Sequence, residues 1–218
     1  MLLPVVHSLV IASVATAITF LIALPLAYYL LQYRLRWGWL LESLFLLPLV
    51  LPPTVIGLFL LQAFGQYGIL GKLLAIFHGY SVIFTLTGAT LATLIVVLPI
   101  IYQAIKAALL SVDPTLIGAA TVMGASNWEI MRYVIIPNAY QGLIIGLLLT
   151  FCRGLGEFGA SLMVAGYIEG KTDTIATSIY YAIQNGDART AIVLSIIDIA
   201  IGIFALLIIH FLSARQTR

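Results

Sequence analysis

The chain is short of charge: 8% of its 218 residues are charged and 62% are hydrophobic, where ordinary globular chains carry about 25% charged residues. So little charge cannot clothe a soluble domain of this size, and the composition is that of a membrane protein. Eight acidic and ten basic residues leave a formal charge of +2, too small and too dispersed for a nucleic-acid footprint, so no nucleic-acid partner is expected. Cysteine is nearly absent. Cys152 alone excludes internal disulfides and every multi-cysteine metal motif, and it reads as a small packing residue. His7, His78 and His210 are scattered and pair with nothing at ligand spacing, so no metal site is expected. No Walker loop, nucleophile constellation or acid/base pair outside the apolar runs is present, which argues against ATP hydrolysis or other catalysis by this chain. Nor is there a Lys or Arg before Arg34; the apolar run from Leu9 to Leu31 is too long for a cleaved signal and reads as a retained span.

What the chain has in abundance is apolar length. A bilayer needs about 20 residues of helix, and runs of that order lie at His7 to Gln32, Leu40 to Gln62, Ile83 to Leu110, Asn138 to Gly166 and Thr190 to Leu212. The expectation is an all-α polytopic bundle of five transmembrane helices, forming one domain over residues 1–218, surrounded by lipid. The apolar segment from Tyr67 to Phe77 is too short to cross and is expected as a loop or interfacial helix. Cytoplasmic flanks carry the Lys/Arg excess. Five spans put Arg34, Arg36, Lys106, Arg132, Arg215 and Arg218 on one side, so the amino terminus is expected outside and the carboxyl terminus inside. Tyr28, Tyr29, Tyr33, Trp37 and Trp39 gather at one boundary as an aromatic belt.

The segment 111–137, between spans three and four, is the longest amphipathic interval. Asp113 followed by Pro114 is a helix start, Gly124 suits a left-handed stop, and Ser126 with Glu129 has capping-box spacing. Two short helices are expected, the first to about Met123 and the second toward Ile135, hinged at Gly124 and presenting Leu116, Val122, Met123 and Trp128. Pattern alone fits either a docking knob or a helix pair lying on headgroups. The spacing Gly118-Ala119-Ala120, Gly124 and Pro137 resembles the EAA loop of ABC-importer permeases, with Gly118 in place of the motif's Glu, Val134 of its Ile and Ile136 of its Leu. The resemblance implies that Gly118, Ala119, Ala120, Gly124, Trp128 and Pro137 form the coupling helix, which seats on a cytoplasmic ATPase.

Two places break the hydrophobic monotony. Arg153 lies sixteen residues beyond Pro137, on the order of 24 Å along a helix and past the bilayer midpoint, and Glu157 follows four residues later on the same face. Gly154, Gly156 and Gly159 thin the same stretch and Ser161 follows. The strip reads as a structural ion pair or as the lining of an anion path, and both can hold together. In span two Pro48, Pro52 and Pro53, followed by Thr54, must bend or break the helix. Asp198 in span five is expected to pair with Arg153, Lys106 or a hydroxyl.

The stretches 47–53 and 153–160 together resemble the molybdate-type branch of oxyanion permeases, and the likeness extends through Gly170 to Ile175. It implies a type I ABC-importer permease fold, a path or gate at Pro48, Pro52, Pro53, Thr54, Arg153, Gly156, Glu157 and Ser161, and a place in a bacterial or archaeal inner membrane. Two cytoplasmic ATPase subunits holding ATP and Mg, and an extracytoplasmic oxyanion-binding protein, are the implied partners, with no cofactor on this chain. Five helices enclose too little for a path and its gate, so a homodimer is expected. The alternatives are a sulfate, thiosulfate or tungstate permease, an ion-coupled carrier, a passive anion channel, or a membrane scaffold.

Overall fold

A computed structural model describes residues 2–32, 36–78 and 81–214; Tyr33, Arg34, Arg215 and Arg218, used above for topology and the aromatic belt, lie outside them. Every regular element among the described residues is helical: α1 (Leu2–Gln32), α2 (Gly38–Val50), α3 (Pro53–Phe64), α4 (Ile69–His78), α5 (Leu86–Leu110), α6 (Pro114–Val122), α7 (Asn127–Ile130), a π-helical stretch (Met131–Ile135), α8 (Ile136–Leu155), α9 (Gly159–Ala165), α10 (Ile175–Gln184) and α11 (Ala188–Ala214).

Four helical runs are long and apolar enough to cross a bilayer: α1, α5, the continuous stretch Asn127–Leu155, and α11. The fifth crossing follows from packing. Ile11 of α1 sits with Ala89 of α5, and Ala23 and Ala27 share a buried cluster with Ile101, Ile105 and Ala108. The two helices therefore run parallel, and the chain between them must return across the bundle. α2 and α3 make that return, as a span broken at Leu51–Pro52 with its halves inclined by 109°. Pro52 and Pro53 lack donors, and the prolyl ring disfavours helix for the residue before it, which is why Leu51 is extended and α3 restarts with Pro53 at its first turn.

The core is α1, α5 and α8, brought close by small residues. A Cβ on Gly142 would lie 2.8 Å from that of Ala108, and one on Gly146 would lie 2.7 Å from that of Ala104, so α8 runs antiparallel to α5 at nearly backbone contact. Buried Thr93 and Thr150 return their hydroxyls to carbonyls one turn back, at 2.9 and 2.7 Å, which satisfies them without water. α11 lies on the outside of the bundle, with 11% of its most apolar window buried.

The break that Pro48, Pro52 and Pro53 require in span two is present, and two expectations need correction. Span four ends at Leu155 rather than Gly166, because 156–158 leave the helix before α9 begins. The second helix of the 111–137 interval is not separate: α7 and the π stretch are the first turns of span four. Pro137 cannot donate, and the preceding turns widen so that the Ile136 N–H reaches the Met131 carbonyl.

Candidate functional site: a broken-helix strip and an exposed knob

At one end of the bundle the 111–137 interval folds into a knob. Asp113 caps α6 by accepting from the Thr115 N–H at 2.8 Å, and this hydrogen bond holds its carboxyl below the ordinary range. Gly124 has φ +85°, the left-handed value that lets the chain reverse after α6. Ser126 and Glu129 form the expected reciprocal cap, and the Ser126 hydroxyl and amide keep the Glu129 carboxyl low as well. The Tyr28 hydroxyl ties α1 to this end by donating to the Asn127 carbonyl at 2.9 Å.

Val122 and Met123 are 89% and 87% exposed, and Trp128 also stands clear. Beside them Ala120, Met123, Gly124, Ala125, Glu129, Tyr133 and Val134 line a hollow of about 400 Å³. Gly118 and Ala119 are exposed on α6, and a Cβ on Gly118 would meet nothing within 4 Å. Pro137 lies apart, at the base of α8.

The second cluster lies where span four breaks. Arg153 occupies the last turn of α8, where a cation suits the helix C-terminus, and Gly156 ends it. Glu157 follows in the gap. Arg153 Nη1 and Glu157 Oε2 are 2.9 Å apart, a charge contact whose N–H groups point off line for a hydrogen bond. Glu157 Oε1 accepts from the Ala160 N–H at 3.0 Å and so anchors the start of α9. The pair is lopsided in burial: the Glu157 side chain is 2% exposed and that of Arg153 36%.

α3 is seated on α9. A Cβ on Gly159 would lie 3.3 Å from Pro53 Cβ and 3.5 Å from the Thr54 nitrogen, and one on Gly57 would lie 2.6 Å from Met163 Cβ. The break of span two thus lies against the break of span four. Ser161 faces the other way, 3.3 Å from the Thr93 hydroxyl. Pro48 stays within α2, before the break. Pro53 has no N–H and the Val55 and Ile56 amides donate to the Pro52 carbonyl, so the positive potential offered to an anion here comes chiefly from the accessible Arg153 guanidinium, while Glu157 balances that charge.

Asp198 does not join the strip. Lys106 pairs with Glu42 and Arg153 with Glu157, and Asp198 has no ion-pair partner among the described residues. Sequence reasoning passed over two groups. Glu42 is one acid in an apolar run, and its partner stands 64 residues away. His7 Nδ1 lies 2.9 Å from Asp173 Oδ1 and 3.0 Å from the Asp173 carbonyl; both are acceptors, so Nδ1 carries the proton. With Ser8, which accepts from the Ile175 N–H at 2.9 Å, His7 ties α1 to the 167–174 loop at the other end of the bundle. There Asp187 caps α11 and is held low by the Thr190 hydrogen bond.

Comparison with known proteins places this geometry. Residues 15–218 match the family described as "Binding-protein-dependent transport system inner membrane component". The molybdenum transport system permease protein ModB of Escherichia coli (strain K12) is 37% identical over 215 residues, 98% of this chain and 93% of that one. A protein of Chlorella vulgaris named as a probable sulfate transport system permease, cysT, is 33% identical over 172 residues, 79% of this chain and 64% of that one. Among solved structures, a chain of the MetNI methionine ABC transporter in an inward-facing conformation superposes with a TM-score of 0.71 at 20% identity, covering 96% of this chain and 94% of that one. The last likeness is one of fold.

Proposed function

This chain belongs to the family of binding-protein-dependent transport system inner membrane components, and on that premise we propose that it is the permease subunit of an ATP-driven molybdate importer. The observation that carries the reading is the end-to-end likeness to a molybdenum permease, 37% over 98% of the chain, against 33% over 79% for the sulfate relative. ATP and Mg belong to partner chains. Two copies of this chain form the path, two ATPase subunits seat on the knobs, and a binding protein delivers the oxyanion at the opposite end. The knob end, which holds Lys106 and Arg132, faces the cytoplasm. That puts the amino terminus outside and the carboxyl terminus inside a bacterial or archaeal cell membrane.

The mechanism follows from what each region can do. Val122, Met123 and Trp128 lose water when seated in the ATPase, and burying a side chain of this size contributes about 1.5–3 kcal/mol, enough to hold the knob through a stroke. Gly118, Ala119, Ala120 and Gly124 keep that surface slim, and Pro137 fixes where the knob passes into α8. ATP-driven closure brings two knobs together, and the broken spans open and close around the path. Arg153 attracts the oxyanion beside the start of α3 at Pro53 and Thr54; Glu157 keeps it from being held tightly. Pro52 and Gly156 shape the breaks where the path turns, while Pro48 leads into the first from within α2 and Ser161 fastens α9 to α5 through Thr93.

The test is stimulation of ATP hydrolysis in the purified complex by its binding protein loaded with molybdate, tungstate or sulfate. Stimulation by molybdate and tungstate, with little by sulfate, is expected. Stimulation by sulfate alone would replace the substrate and keep the permease.

A further inference from the structure

α2 is an arm with one attachment. It contains no fully buried residue and packs principally on α5, along a seam of two successive turns. In the first, Lys106 Nζ donates to Glu42 Oε1, with side chains 28% and 26% exposed. In the next, one turn along each helix, the rings of Phe45 and Tyr102 stack at 6.3 Å and 24°. Glu42 lies four residues after the start of α2 and Lys106 four before the end of α5, so each is about 6 Å from the knob end of its helix. From Glu42 the arm runs about 12 Å more to its end at Val50, beyond which α3 rests on α9.

The chain leaves α5 at Ser111 and enters α6, the knob, at Pro114. The Glu42–Lys106 pair therefore stands where α5, the knob and the arm meet. Two apolar side chains could hold such a seam at least as well, because a half-buried ion pair carries a desolvation cost. A charge pair differs in fixing one register. We infer that Glu42 and Lys106 are positioning residues for transport: their ion pair carries movement of the ATPase-facing knob through α5 into α2, and so to the break in span two. The inference rests on the proposed permease function and adds two residues that never touch the oxyanion.

The test uses the complete complex, permease with ATPase and binding protein, in proteoliposomes, with the ATP hydrolysed per oxyanion imported as the readout. Glu42→Gln and Lys106→Met should each raise that ratio roughly tenfold, the scale of one coupling term, while ATP hydrolysis persists. The exchanged pair Glu42→Lys with Lys106→Glu should recover most of the coupling. Single variants with wild-type coupling, or an exchanged pair no better than either single, would overturn the inference. So would single variants that fail to assemble but are cured by the exchange at normal coupling, because the pair would then be a structural staple. A wild-type complex that imports no oxyanion would refute the proposed function instead.

Discussion

Replacing Arg153 with Gln strands the Glu157 carboxylate in a site where its side chain is 2% exposed. Removing one partner of a buried pair costs about 3–5 kcal/mol. Arg153→Gln should therefore lose stability on that scale. The reverse change is mild. Glu157→Gln keeps an oxygen for the Ala160 N–H, and the guanidinium left behind is 36% exposed and can be hydrated, so the cost is about 1 kcal/mol or less. Heat survival of the purified complex, read by size-exclusion chromatography, measures the difference. Equal losses from the two variants would refute the reasoning.

Other expected outcomes are local. Gly146→Val forces a side chain against Ala104, whose Cβ a new Cβ would already approach to 2.7 Å, and should destabilise the complex by about 1–3 kcal/mol; Gly202→Ala on α11, with nothing within 4 Å, should be neutral or slightly stabilising in the same heating assay. Gly124→Asp sets a charge beside Glu129 in the knob's hollow. It should leave inserted, dimeric protein that no longer imports, as followed by crosslinking and uptake. The Asp113 and Glu129 caps, held below ordinary values of 3.8 and 4.5, contribute stability that is complete above those values and lost as pH falls through the lowered folded ones. Amide-exchange protection over 113–130, corrected for intrinsic rate, should hold from pH 7 to pH 5 and decline only in stronger acid.

The elements legible in the sequence were those set by local chemistry. Bilayer length fixed the five crossings, Asp113-Pro114 and Ser126/Glu129 fixed the helix starts in the knob, and Gly124 marked its reversal. The prolines announced that span two must yield, but the 109° turn depends on where α9 receives α3. The end of span four was hidden because the apolar run resumes directly after Gly156–Phe158 and Glu157 reads as the i+4 helical partner of Arg153; only the capture of the Ala160 amide by Glu157 shows the chain restarting there. Arg153 and Glu157 were found together because they are four apart. Glu42–Lys106 and His7–Asp173 escaped because each joins distant helices, and distance along the chain carries no local pattern. Arg153 and Lys106, the two cations expected as partners of Asp198, are engaged elsewhere.

Uptake of labelled molybdate into vesicles holding this chain with its ATPase and binding protein, with and without ATP, tests the transport reading most directly. ATP-dependent accumulation, suppressed by excess tungstate and little affected by sulfate, is the expected result. Molybdate equilibrating at the same rate without ATP would mark a passive path and contradict the importer.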